Sequence, residues 1–286
     1  MYVRQVPDVR QGHRDEKTQC CALDALLFSL PRERGGRVFL ISFLRKQISK
    51  YLKYAELLFF PSSCKLCLKP LEAIEERVVC RSCFDSLRHR STSFCLSCGH
   101  FFQDSAEPRL CPQCLEKKPR YSLHRSCGQY MGKLKDFILL FKYRGYKILG
   151  KDLARFMLQT LGKSEEIWWG VDAVIPVPLH PKRKRHRGFN QALILAKIMA
   201  REKKKALITN CLVKTKNRLP QTVVDAQERG KNIKGAFAVK KAGEIKDKVI
   251  LLVDDVFTTG ATVKECCEML LQAGAKEVRV ITLAQA

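Results

Sequence analysis

Eight cysteines fall in four C-x-x-C pairs, Cys64/Cys67, Cys80/Cys83, Cys95/Cys98 and Cys111/Cys114, and no other feature of the 286-residue chain restricts its folding so tightly. A C-x-x-C pair on a tight turn offers two thiolates to one ion, and two such pairs complete a tetrahedral four-sulfur site. Pairs about a dozen residues apart have zinc-ribbon spacing. Here that spacing occurs twice in succession, and Gly99 suits the turn that follows Cys98. Two structural zinc ions are expected, because four protein ligands close the coordination sphere. The first would be held by Cys64, Cys67, Cys80 and Cys83, the second by Cys95, Cys98, Cys111 and Cys114; a cross-braced pairing also satisfies the spacing. Buried or redox-active thiols are the competing explanation, and four regular pairs argue against it. Iron–sulfur clusters favour less evenly paired spacings. Cys211, Cys266 and Cys267 read as packing residues, and Cys20, Cys21 and Cys127 have no partner at ligand spacing.

Such cysteine usage fits a reducing compartment better than a disulfide framework. The opening residues lack the basic head and apolar run of a secretory signal. No stretch reaches the ~18 uncharged apolar residues of a membrane helix. The expectation is a cytoplasmic protein without a transmembrane segment.

Three parts are expected along the chain. Residues 1–45 are mixed in character, broken by Pro31, Gly35 and Gly36, and form an extension. Residues 46–120 would hold the cysteine module, preceded by an amphipathic helix over 42–60 with Phe43, Leu44, Ile48, Leu52, Leu57 and Leu58 on one face. Residues 121–286 would form the larger domain, after a linker at Lys118, Pro119 and Arg120. From Gln129 onward strand and helix patterns alternate, which predicts an α/β fold with a mainly parallel sheet. VDAVIPVP, CLVK, FAVK, VILLVDD and EVRVITLA read as strands. Helices are predicted over 147–161, in FNQALILAKIMAREKK, and in ATVKECCEMLLQA up to Gly274. The polar stretch RLPQTVVDAQERGKNIKG has no apolar period.

Within that domain VILLVDDVFTTGAT runs from five branched aliphatic residues straight into Asp254 and Asp255. A strand, a Thr/Gly turn and a helix in succession point backbone N–H groups and the helix dipole at one spot, which suits a phosphate. Thr258, Thr259 and Thr262 add hydroxyls, and Gly260 permits close approach. The two carboxylates are acceptors instead. A ribose phosphate satisfies both, with hydroxyl donors and a 5′-phosphate. No G-x-x-x-x-G-K-[ST] or G-x-G-x-x-G occurs in the chain. The competing explanation is an ordinary capped turn with solvated aspartates.

The net charge is +25, with 53 Lys+Arg against 28 Asp+Glu, so polyanions are the natural partners. The charge is concentrated beside VIPVP, in Lys182, Arg183, Lys184, Arg185 and Arg187. On a rigid proline-led loop these residues could neutralise a pyrophosphate, follow a nucleic-acid backbone, or simply be solvated.

VILLVDDVFTTGAT closely resembles the phosphoribosyl-pyrophosphate (PRPP) motif of type I phosphoribosyltransferases. That resemblance implies that Asp254 and Asp255 hold ribose hydroxyls. It further implies that Val256, Phe257, Thr258, Thr259, Gly260, Ala261 and Thr262 form the loop around the 5′-phosphate, with Mg²⁺ accompanying PRPP. It also implies that the loop after VIPVP meets pyrophosphate and that 218–232 covers the reacting centre. Together with the cysteine pairs, FKYRGYKILGKDLA, VIPVPLHPKRKRHRGFNQA and QERGKNIKGAF, the chain from Tyr51 onward resembles the ComF family. Its members are competence-associated, joining a cysteine-rich module to a phosphoribosyltransferase-like domain. The resemblance implies a role in DNA uptake, contact with single-stranded DNA, and uptake-machinery proteins as partners. Ribbon and basic-loop residues would meet the phosphates, with Phe94, Phe101 or Phe102 as stacking candidates against core packing. The alternative is a metabolic phosphoribosyltransferase without a DNA role. No base-recognition hood is evident, so the acceptor is open.

Overall fold

A computed structural model of the chain describes residues 62–71, 78–87, 93–103, 107–215 and 235–286. The predicted extension at 1–45, the amphipathic helix at 42–60 and the covering loop at 218–232 lie outside the described residues. Pro61–Ala286 forms one compact unit.

The cysteine region contributes two one-turn helices, α1 (Arg81–Asp85) and α2 (Pro112–Glu116). Each starts directly after a ligand cysteine, Cys80 or Cys111. Beyond it come β1 (Leu123–Gln129), α3 (Gly132–Tyr143), α4 (Leu149–Leu161), α5 (Glu165–Trp168) and β2 (Ala173–Pro176). The chain continues through α6 (Pro181–Arg187), α7 (Gln191–Glu202), β3 (Ala206–Leu207), β4 (Leu212–Lys214) and β5 (Phe237–Val239). It ends with β6 (Val249–Phe257), α8 (Ala261–Gln272) and β7 (Glu277–Gln285).

Five strands make one parallel sheet in the order β1-β7-β6-β2-β3. A parallel sheet covered on both faces needs strands that are apolar on both, and Val249 to Val253 is such a run. Leu251 and Val253 pack with Phe137, Phe141, Leu153, Met157 and Leu195 of α3, α4 and α7. Ile250 and Leu252 pack with Val263, Cys266, Cys267 and Leu270 of α8. From β2 the chain winds to β3 on one side, and from β6 to β7 on the other. The winding direction therefore reverses between β2 and β6, and the crevice outside the carboxyl ends of those two strands is where open α/β sheets bind ligands.

CLVK and FAVK are strands, as read; as β4 and β5 they pair antiparallel in a ribbon separate from the parallel sheet, Leu212 opposite Val239. One expectation about the elements is corrected. Residues 182–187 are not a loop but helix α6, with Pro181 at its first turn and Gly188 in the left-handed conformation (φ 81°) at its end. Pro at the start and Gly just past the end suit a helix as well as a loop.

Strand β1 was missed altogether, because LHRSCGQ puts His124, Arg125 and Ser126 where a buried strand should be apolar. All three are buried. Arg125 answers for its burial with a fork on Glu166 at 2.8 and 2.8 Å. It also donates to the Leu96 carbonyl at 2.9 Å and lies 4.9 Å from the centre of the Phe94 ring. This side chain thus ties the second ribbon to the sheet. Replacing Arg125 by Met should cost about 2–3 kcal/mol, less than a fully buried pair, since the Glu166 side chain is 42% exposed. Arg125→Lys should recover only part of that, because an ammonium cannot form the fork. The urea midpoints of the three proteins measure the order.

Candidate functional site

The eight paired cysteines gather into two sets, Cys64/Cys67/Cys80/Cys83 and Cys95/Cys98/Cys111/Cys114, with the sulfurs of each set within 4.8 Å of one another. The pairing is therefore sequential, not cross-braced. A tetrahedral zinc with ~2.3 Å bonds has sulfur–sulfur edges of roughly 3.8 Å. The separations Cys64–Cys83, Cys67–Cys80 and Cys98–Cys111 are 3.9, 3.6 and 3.7 Å, so the sulfurs fit the ion. In each set the first thiol is prepared as a ligand. Burial raises the Cys64 pKa, but N–H groups of Cys67, Cys80 and Leu66 outweigh it and bring the thiol to about 6. Cys95 is brought to about 7 in the same way by Cys111, Cys98 and Ser97.

The two knuckles differ at the residue that makes their left-handed turn. Four residues after the first cysteine, the chain takes a left-handed turn at Leu68 (φ 61°) in one and at Gly99 (φ 68°) in the other. Leu68 points into solvent, 75% exposed. A Cβ on Gly99 would meet the His124 carbonyl oxygen at 2.5 Å. The glycine is needed because the second knuckle lies directly on β1.

At the carboxyl end of β6, the two-residue period of the strand sends Asp254 and Asp255 to opposite faces. Asp255 turns to the side of α3 and pairs with the Lys142 ammonium at 2.6 Å. Asp254 turns to the side of α8, and one of its oxygens accepts the Asp255 N–H at 2.8 Å. Burial and the charge of Asp255 push the Asp254 carboxyl up to about 7, against the pull of Lys142 and Lys214. The turn that follows holds Thr258, Thr259 and Gly260, and α8 begins with Ala261 and Thr262. Gly260 has φ 71°, and a Cβ there would meet Phe257 Cζ at 2.4 Å. That turn thus rests on an aromatic ring and opens towards the N-terminus of α8. Such a terminus presents unpaired N–H groups and positive dipole to an anion.

Helix α6 carries the basic cluster, and its geometry divides it. Arg183 and Arg187, four residues apart on one face, are partly buried, whereas Lys182, Lys184 and Arg185 are exposed. Arg187 donates to Gln191 Oε1 at 2.9 Å and lies 5.1 Å from the centre of the Tyr143 ring. Burial first, then the charge of Arg183, lowers the Lys214 pKa, and Asp254 is among the groups that oppose that; the Arg183 pKa is itself lowered by burial and by Arg187. The crevice therefore has an acidic floor at Asp254 and Asp255 and a cationic wall of Lys142, Arg183, Arg187 and Lys214.

Lys142 and Lys214 were not anticipated. Both carry a faint signal in the sequence. Lys142 stands four residues after the buried Ile138, at a position of the apolar stripe. Lys214 shares a strand face with the buried Leu212. Of the stacking candidates, Phe94 and Phe101 are buried in the second ribbon, so core packing is their role. Phe102 is partly buried, with Arg109 4.1 Å above its ring and His100 at its edge. Among the described residues no helix is long and apolar enough to cross a membrane.

Comparison with known proteins matches both halves of this arrangement. Residues 56–129 match the double zinc ribbon domain and residues 150–286 the phosphoribosyl transferase domain. "Competence protein F" of Haemophilus influenzae is 31% identical over 232 residues, 80% of this chain and 99% of its own. "DNA utilization protein YhgH" of Salmonella typhimurium is 30% identical over the same shares. "Competence protein ComFC" of Streptococcus pneumoniae is 29% identical over 70% of this chain and 90% of its own. With ribbons and transferase domain in the same order, and likeness across nearly the whole of its relatives, the chain belongs to the ComF family of competence-associated, phosphoribosyltransferase-like proteins.

Proposed function

We propose that the crevice binds PRPP with Mg²⁺, and that the protein works in the uptake or use of DNA, in contact with single strands and with proteins of the uptake machinery. The observation that carries the first part is the divergence of Asp254 and Asp255 beside a glycine turn at a helix N-terminus. One carboxylate on each side of β6 suits two ribose hydroxyls, and residues 256–262 with the first turn of α8 suit the 5′-phosphate. Arg183, Arg187, Lys214 and Lys142 supply positive charge where the pyrophosphate would lie. Mg²⁺ would neutralise that same group. If pyrophosphate is displaced at the anomeric carbon, the protein's share is positioning and charge stabilisation. No covalent residue is required. The exposed charges of α6, Lys182, Lys184 and Arg185, are the natural contact for a phosphate backbone. The division of the chain at residues 45 and 120 and a cytoplasmic location belong to the same reading.

Carboxylates that serve the ligand should titrate with it. Asp254 holds its proton more tightly folded than unfolded, so between about pH 4 and 7 the folded state binds more protons and ligand-free stability falls as pH rises. Hydroxyl binding wants the ionised form. PRPP affinity, measured by calorimetry, should therefore rise roughly tenfold from pH 6 to pH 8. Asp254→Asn should remove that component, and the double change with Asp255→Asn should abolish binding. The second change also breaks the largely buried pair with Lys142 and should lower the melting temperature, so circular dichroism must show the variant folded at the temperature of the titration. A double variant that binds like the parent sinks the assignment.

Elemental analysis should give two zinc ions per chain, and Cys64→Ser should halve that number. One zinc or none in fresh wild-type protein would show that a ribbon takes no metal.

Single-strand binding through phosphates releases counterions, so log affinity should fall linearly with log salt. Replacing Lys182, Lys184 and Arg185 by Ser should flatten the slope by about two units, at −0.7 per phosphate contact. PRPP affinity should stay unchanged in that variant. An unchanged slope moves the contact elsewhere on the chain, and no single-strand binding at low salt leaves the metabolic alternative in its place.

A further inference from the structure

Between the second ribbon and the glycine turn of the crevice stands one fully buried side chain, that of His124. Its Nδ1 is 2.7 Å from the carbonyl of Cys98, a ligand cysteine, and its backbone N–H donates to Ser97 at 2.8 Å. Nε2 lies 2.9 Å from the Thr282 hydroxyl. Hydrogen on Nδ1 satisfies the Cys98 carbonyl, and the Thr282 hydroxyl, which also lies 3.2 Å from the Ala284 carbonyl, shares its one proton between that oxygen and Nε2. The ring itself is stacked on Phe257, centroids 4.2 Å apart and planes 19° from parallel. Tyr121 meets both rings edge-on, at 6.3 Å from each. Phe257 in turn is the ring that leaves no room for a Cβ at Gly260. The second knuckle, His124, Phe257 and Gly260 are thus in successive contact, each touching the next through backbone or a flat ring with little freedom to yield. The first ribbon makes a different contact: its Phe84 meets Phe137 of α3 edge-on at 6.2 Å.

We propose that His124 is a positioning residue for the 258–262 turn, and that through it metal in the second ribbon and PRPP in the crevice are thermodynamically linked. This rests on the reading of the crevice as a PRPP site. A knuckle without metal loses the geometry that holds the Cys98 carbonyl against the imidazole. The ring then no longer holds Phe257, nor Phe257 the turn. Linkage is reciprocal: whatever factor the metal contributes to PRPP affinity, PRPP contributes to metal affinity. The first ribbon, seated on α3, should not respond.

The test uses the full chain carrying both zinc ions. PRPP binding is measured by calorimetry, and zinc retention by titration with a competing chelator, with and without saturating PRPP. In wild-type protein one of the two zinc equivalents should become about fivefold or more harder to remove when PRPP is present, the low end of ordinary coupling. In His124→Ala that protection should vanish and PRPP affinity should drop by a similar factor. Phe257→Leu, which leaves the contacts between His124 and the knuckle in place, should do the same, and it serves should His124→Ala fail to fold. Loss of PRPP protection in a variant that still holds two zinc ions separates positioning from mere stability. Wild-type protein that binds no PRPP overturns the reading of the crevice. Wild-type protein that binds PRPP without shifting either zinc equivalent overturns the linkage alone, as does a variant that keeps both zinc ions and binds PRPP as tightly as wild type.

Discussion

Strand β6 is apolar on both faces for five residues and acidic for the next two, and the crevice depends on where that change falls. Because successive side chains of a strand alternate, two adjacent carboxylates cannot share one environment. Asp255 enters the side of α3 and α4 and is met by Lys142 at 2.6 Å. Asp254 enters the side of α8 and is raised by burial, with Lys214 as the cation on its side. Each acid is thus served by an element distant in sequence, and the winding reversal between β2 and β6 brings α6 over the same spot. Had the acids stood one residue earlier, they would lie under the helices.

How much of this was legible depended on the range of the interaction. The cysteine pairs and the aliphatic run ending in Asp254 and Asp255 are local patterns whose chemistry is complete within a few residues, and both could be read directly. Pairing of the cysteines into sequential sets needed the fold, since spacing alone also allowed cross-bracing. Strand β1 was hidden because its polar residues are answered from afar: His124 by Cys98 and Thr282, Arg125 by Glu166 and Leu96. A buried arginine looks like a surface residue until its partners are known. Lys142 and Lys214 were hidden for the same reason. Residues 182–187 misled in another way, since proline and glycine frame both a rigid loop and a capped helix.

The ribbons repeat one spacing but have parted in their surroundings. The position of Leu68 in the first is held by Gly99 in the second, and only the second has a backbone carbonyl against it. A left-handed leucine costs roughly 1–2 kcal/mol, tolerable at an exposed tip. Beneath the second knuckle no side chain fits at all. Duplicated metal modules can in this way serve one fold unequally, one as a cap on α3 and one as a footing for β1.

Helix α6 has a further consequence through its thickness. Arg183 and Arg187 face the crevice while Lys182, Lys184 and Arg185 face solvent, so two anions on its opposite sides would be separated by the body of a helix. With side chains that is about 10–12 Å, and because mobile ions do not enter the helix, salt screens charges across it less than charges that face each other through open water. One short helix can therefore keep two anions from touching without hiding their charges from each other. A small anion behind it and a long one in front would each weaken the other's binding, most of all at low salt.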